Sequence, residues 1–219
     1  MERKESYKNI LPHFQQLGQA YFVTWILKGA IPYKALNRYT QKLSTLKTQI
    51  ESSKSQNQEQ RVIDDLILQF NLTRKKYIKA YDDLLVTNGK SDIDLTKPGN
   101  LKILVDTIRF WEGKRLKSYV CCIMTNHVHW VFELLYTDEK GNPVYLQDIL
   151  QSIKRHSARE INKLEGKFGS LWQKESFDTT IRDQKHLFLA VEYTLNNPVV
   201  AGLAPNRDSW PGNFLFNNY

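Results

Sequence analysis

The alternation of apolar and polar positions is clearest over residues 127–136. Val128, Trp130, Phe132 and Leu134 fall on one side of an extended chain there, and His127, His129, Val131 and Glu133 on the other, because successive side chains of a strand point to opposite faces. The first row predicts a core face and the second carries the polar groups. Apolar runs predict further strands at 20–28 and 117–124, the latter turning back at Thr125-Asn126 as an antiparallel hairpin, and a short strand at 177–181. Helical periodicity predicts helices over 99–113 and 146–165. From 183 to 202 Leu187, Val191 and Leu195 recur every fourth residue, behind a capping Asp183 and up to Pro198, which predicts a helix of about four turns. Tyr193 and Asn197, also four apart, then share the face turned away from that stripe. Strands interspersed with helices, and one hairpin, predict an α+β sandwich with helices on one face of an antiparallel sheet.

Residues 33–98 follow a different pattern. Leu43, Leu46 and Ile50 form one stripe, and Ile63, Leu66, Ile67, Phe70, Tyr77, Tyr81 and Leu84 a longer one, with a polar stretch at 52–60 between them. This predicts two helices packed as an antiparallel hairpin. Clamping DNA, mediating dimerisation and merely decorating the fold are three roles it could have.

Length and composition alter this picture little: 219 residues with 41% hydrophobic positions can bury a sizeable core. Charge adds more. A net charge of +8 gives a long-range attraction for phosphate. Locally, Lys154, Arg155, Arg159, Lys163, Lys167 and Lys174 face only Glu160 and Glu165, and Arg155, Arg159 and Lys163 are spaced to follow a phosphate backbone along one helix face. A solvated helix face is the plainer reading of the same spacing. Trp172 and Phe168 lie in this stretch as rings on which bases could stack. No glycine-rich nucleotide loop is present. Adjacent Cys121 and Cys122 point to opposite faces of a strand and cannot readily bridge each other. Met1-Glu2-Arg3-Lys4-Glu5 has no apolar signal core and no apolar run approaches ~20 residues, so a cytoplasmic protein without a membrane partner is expected.

The candidate chemistry starts from His127 and His129, two of only five histidines, aimed at one face. Each could simply satisfy a nearby hydrogen bond. As metal ligands they are incomplete without further protein, water or substrate oxygens. Tyr193, taken alone, reads as a half-buried ring with its hydroxyl in water.

Three segments together carry a resemblance. Tyr21-Phe22-Val23-Thr24-Trp25 precedes the histidine strand, Gly169-Ser170-Leu171-Trp172-Gln173 forms a linker, and Glu192-Tyr193-Thr194-Leu195-Asn196-Asn197-Pro198-Val199 lies in the last helix. In order and spacing the chain resembles the REP-associated tyrosine transposases, within the single-tyrosine branch of the HUH nucleases, over about residues 19–29 and 101–210. The resemblance implies a ferredoxin-like HUH nuclease sandwich whose tyrosine helix packs across the open sheet face. On that scheme 1–32 and 99–219 form the catalytic domain, and 33–98 is an inserted helical hairpin much longer than the family's usual connection. It further implies that Tyr193 attacks a DNA phosphodiester, giving a 5′-phosphotyrosine and a free 3′ hydroxyl. His127 and His129 would be ligands to Mg2+ or Mn2+, and Asn197, one turn beyond Tyr193, a further one. Since the covalent link conserves bond energy, cleavage and rejoining of single-stranded or hairpin DNA would need no nucleotide cofactor.

A phenol of ordinary pKa near ~10 needs help to lose its proton. His186 could give it, or could be a solvated surface residue. Two other readings stay open: a DNA-binding descendant of such a transposase without the chemistry, and a metal-dependent hydrolase in which Tyr193 is structural. Whether a homodimer forms, and whether the tyrosine acts in its own subunit or in a partner's, is also open.

Overall fold

In the computed structural model, which describes residues 6–8, 12–14, 16–31, 36–87 and 91–216, the chain divides into two units, Met1–Lys28 with Ser91–Tyr219, and Gly29–Lys90. In chain order the elements are strands β1 (Ser6–Lys8), β2 (Pro12–Phe14) and β3 (Ala20–Leu27), then helices α1 (Asn37–Ser55), α2 (Gln60–Thr87) and α3 (Pro98–Arg109). Strands β4 (Leu116–Ile123) and β5 (His127–Leu134), helix α4 (Leu146–Glu165), strand β6 (Trp172–Thr180), helix α5 (Gln184–Val200) and strand β7 (Asn213–Leu215) follow. The expected boundary at residues 32 and 33 lies outside the described residues, as do residues 1–5.

Helix α1 and helix α2 belong to the smaller unit and pack against each other as the stripes predict. Leu43 and Leu46 of α1, and Ile63, Tyr77 and Tyr81 of α2, are buried. Tyr39 at the start of α1 meets Tyr77 late in α2, which makes the pair antiparallel. The polar turn is shorter than expected, because α1 continues through Ser55. Leu85 is buried, whereas Leu84 is half-buried.

In the larger unit the sheet order is β6-β3-β5-β4-β7, antiparallel at every pairing, with β5 in the middle. The succession β3-α3-β4-β5-α4-β6 with spatial order β6-β3-β5-β4 is the ferredoxin-like split β-α-β arrangement. The short β7 adds an edge beside β4.

Strand register fixes two faces. On one, Trp25 of β3 makes edge-to-face contacts with Trp130 of β5 and Trp172 of β6, each at 6.2 Å. These rings, with Val128, Phe132 and Leu134, are buried as the alternation predicts. Helices α3 and α4 pack against each other, and α4 reaches this core through Ser157, whose hydroxyl accepts the Trp172 indole N–H at 3.0 Å. On the opposite face Val120 and Val131 form a cluster with Ile181 and with Ala190, Val191 and Leu195 of α5, flanked by Leu187. The predicted apolar stripe of α5 therefore seals the face that carries the histidines.

Boundaries differ from expectation at α3, which stops at Arg109 short of residue 113, and at β6 and α5. Strand β6 begins at Trp172, well before residue 177, because it pairs with β3 across a register shift between Trp25 and Leu27 that periodicity does not reveal. Helix α5 runs past Pro198 to Val200. A proline that close to the helix end removes only one intrahelical bond, and its carbonyl still accepts from Leu203 N. Among the described residues no helix is long and apolar enough to cross a membrane.

Candidate active site

Strand β5 brings His127 and His129 to the same face, where both are buried beneath α5, at 2% and 1% exposure. Their Nε2 atoms face each other at 3.0 Å, and the rings lie edge-to-face with centroids 4.6 Å apart. Each outer nitrogen is anchored: His127 Nδ1 to Asn126 Oδ1 at 2.6 Å and His129 Nδ1 to Thr24 Oγ1 at 2.7 Å. Thr24 stands directly across from His129 in the β3–β5 register. Burial pulls the His127 pKa down to about 3, while the nearby Asn197 amide, close to the ring but without a hydrogen bond to it, acts in the opposite direction. Burial and the adjacent His127 hold His129 well below its ordinary value. Both imidazoles are thus neutral at physiological pH, the state in which a ring nitrogen can hold a cation.

Helix α5 sets the remaining groups around this pair. Asp183 caps it as expected, its side chain accepting from His186 N at 2.7 Å. Tyr193 lies at the rim, 38% exposed, its ring 5.5 Å edge-on from His129 and 5.6 Å from Phe22. Asn197 does not share an exposed face with Tyr193 as the four-residue spacing suggested. Because α5 lies across the sheet, its buried arc extends from Ala190 to Pro198 and takes in Asn197, which is 8% exposed. The Asn197 Oδ1 atom is buried without a hydrogen-bond partner. Its approach to His127 and this unmet lone pair fit a cation beside the histidines. Two imidazole nitrogens about 3 Å apart also suit adjacent ligands at roughly 2.0–2.2 Å from one ion. Among the described residues no cluster of three or more His, Cys, Asp or Glu side chains is placed to hold a metal, so an amide oxygen is the third protein donor on offer. His186, in the first turn of α5, lies 3.4 Å from the backbone N–H of Arg182.

Sequence reasoning missed what holds α5 in place. Glu192 accepts from Arg207 Nη1 at 2.9 Å, and Asn213 of β7 donates to the Leu195 carbonyl at 2.9 Å. Trp210 Nε1 donates to the Ile123 carbonyl, which ties the same tail to β4. Thr24 and Asn126 were also missed. No spacing in the chain pairs residue 24 with residue 129; only sheet register does.

The basic residues divide. Arg155, Arg159 and Lys163 are exposed on one side of α4, as expected, with Arg159 paired to Glu160 at 2.7 Å. Lys154 is withdrawn from that face. Its Nζ donates to the carbonyls of Gln173 and Lys174 at 2.7 and 3.0 Å and to Ser176 Oγ, and burial lowers its pKa to about 8. Trp172 also departs from expectation. At 5% exposure, with its N–H bonded to Ser157, it is a core ring and offers no surface to a base. Phe168, at 99% exposure, is the ring of this stretch that faces solvent. A cavity of about 450 Å3 between α4 and the start of β6 includes Gln147, Gln151, Arg155, Gln173 and Lys174 in its lining. A neighbouring one of about 300 Å3 shares Gln151 and Arg155 with it and adds Arg159.

A ferredoxin-like sheet has a middle strand that carries His-x-His and is crossed on that face by a helix bearing a tyrosine and, four residues on, an amide, which is the arrangement the resemblance implies. The chain is similar to a curated protein of Haemophilus influenzae named as a REP-associated tyrosine transposase, 28% identical over 104 residues. The match spans 46% of this chain and 59% of the relative's length. A solved structure of a REP-associated tyrosine transposase bound to a REP hairpin aligns with 92% of this chain and 79% of its own, at 13% identity and a TM-score of 0.45. No family model matches the chain.

Proposed function

We propose that this protein is a single-tyrosine DNA transposase or nickase that cleaves and rejoins single-stranded or hairpin DNA through a covalent phosphotyrosine. The observation that carries the reading is the placement of Tyr193 at the rim of a buried neutral histidine pair, with the unpartnered Asn197 amide oxygen beside it. Its relative in Haemophilus influenzae supports the same reading by name.

On this reading the Tyr193 oxygen attacks the phosphorus of the scissile phosphodiester. The Tyr193 Oη–P bond forms as the P–O3′ bond breaks, the phenolic proton leaves to solvent or a base, and the departing 3′ oxygen gains a proton. A 3′ hydroxyl from a second end reverses the sequence and frees the phenol. Phe22 and His129 hold the tyrosine ring edge-on, which restricts the directions from which its hydroxyl can approach phosphate. His127, His129 and Asn197 would hold Mg2+ or Mn2+. Such an ion supplies charge stabilisation at a non-bridging phosphate oxygen. Arg155, Arg159 and Lys163 would contact phosphates along α4, with the cavities sharing Arg155 as the path of the strand.

The test is incubation of the full chain with labelled single-stranded DNA containing hairpins, in Mg2+ or Mn2+, followed by denaturing electrophoresis. A protein–DNA adduct is expected in the wild type and in neither Tyr193→Phe nor His127→Ala. Cleavage that persists in Tyr193→Phe with no adduct would overturn this reading in favour of a hydrolase.

A further inference from the structure

The geometry around the histidine pair decides which nitrogen of each neutral ring carries its one hydrogen. Two N–H groups cannot point at each other across 3.0 Å, and two lone pairs would repel, so one hydrogen lies between the Nε2 atoms. His127 Nδ1 faces the Asn126 amide oxygen, which only accepts. His127 therefore carries its hydrogen on Nδ1 and presents a bare Nε2. The shared hydrogen belongs to His129 Nε2, which leaves His129 Nδ1 bare and makes the Thr24 hydroxyl its donor.

A cation lying against both Nε2 atoms needs both as lone pairs. His127 already offers one. His129 does so only after exchanging tautomers: the Nε2–H bond is lost, an Nδ1–H bond is made, and the ring stays neutral with no net proton taken up or released. The partner at Nδ1 must then change from donor to acceptor. A carboxamide oxygen cannot do this, but a hydroxyl can, by turning its hydrogen away and offering a lone pair.

We propose that Thr24 is a positioning residue whose hydroxyl follows this exchange, donating to His129 in the resting protein and accepting from it once a cation is bound, while Asn126 keeps His127 fixed throughout. The proposal rests on the metal reading of the pair and deepens it. It gives the two histidines different parts: His127 is a preset ligand and His129 a convertible one. It also explains why a 3% exposed hydroxyl, rather than an amide, stands opposite His129 in the sheet.

The test is long-range 1H–15N spectroscopy of the imidazoles in the full chain, first without metal and then titrated with Mg2+, with Zn2+ as a tighter diamagnetic probe. The expected result is His127 as Nδ1–H and His129 as Nε2–H without metal, and both rings as Nδ1–H with it. Thr24→Val, which keeps the shape and removes the hydroxyl, is expected to weaken metal binding 10–100-fold by calorimetry, and Thr24→Ser to restore it. His129 found as Nδ1–H before metal is added, or Thr24→Val binding metal as tightly as wild type, would overturn the proposal. Should Thr24→Val not fold, the wild-type spectra decide alone. Wild-type rings that respond to neither ion would defeat the exchange and the metal reading together. Metal-responsive rings with the wrong resting tautomer would defeat only the role of Thr24.

Discussion

Neutrality of the two imidazoles is a property of their burial, and it has a measurable consequence at the residue scale. Each ring stays unprotonated in the folded chain at pH values where an unfolded histidine, with a pKa near ~6.5, binds a proton. Unfolding therefore takes up protons below that value. The stabilisation is fully present above pH ~6.5 and is lost progressively as pH falls toward about 3. Each ring contributes a slope of about 1.4 kcal/mol per pH unit in this window. Urea denaturation between pH 4.5 and pH 8 should give a plateau above 6.5 and a fall below it, and His127→Gln should flatten that fall. A midpoint in the variant that tracks wild type across the range would mean the rings titrate normally. Saturating divalent metal should raise stability across this range without changing the slope, since the folded rings are already unprotonated and give up no proton when they bind it.

At the element scale, α5 depends on a strand of three residues. The chain from Arg207 to Leu215 holds the tyrosine helix through Glu192 and Leu195 and holds the sheet through Ile123. Gly212 sits at the tightest point, where an added Cβ would lie 2.0 Å from the Ile123 carbonyl oxygen and 2.7 Å from Trp210 Nε1. Gly212→Ala should thus cost about 1–3 kcal/mol of stability, read as a lower denaturant midpoint, and should loosen α5 more than α4 in hydrogen exchange. Equal protection in the two helices would remove the brace from the account. This feature also marks where the sequence stops being legible. The four-residue steps of Leu187, Val191 and Leu195 place one side of α5 correctly, and alternation assigns both rows of β5, because these are local periodicities. Asn197 was misplaced because the width of a buried arc depends on what lies beneath the helix. Trp172 and Lys154 differ from expectation for a related reason. Being in a basic stretch says nothing of whether a ring meets Ser157 or an ammonium meets the carbonyls of a strand 19 residues away. Proline at 198 looks like a stop, yet near a C-terminus it costs one bond only.

For the molecule as a whole, excess positive charge sets how it would meet nucleic acid. If Arg155, Arg159 and Lys163 follow a backbone, each lost phosphate contact should lower the slope of log affinity against log salt by about 0.7 on single strands. The triple alanine variant should then bind labelled DNA with a slope about 2 smaller, measured by fluorescence anisotropy across a salt series. Trp172→Phe should leave that slope unchanged, because the ring is internal. Identical slopes for wild type and the triple variant would remove α4 from the interface. The order of strands in the sheet also bears on how the chain comes to be made. Strand β3, whose Tyr21, Val23, Trp25, Ile26 and Leu27 are at most 1% exposed, pairs only with β5 and β6. Its first partner leaves the ribosome roughly a hundred residues later, a delay of about 5–20 s at ordinary rates of synthesis. The α1–α2 hairpin, built on local contacts, can form in that interval. Strand β3 cannot, so an apolar, β-prone segment waits unpaired on every nascent chain, and translation is the stage at which this protein is most open to aggregation.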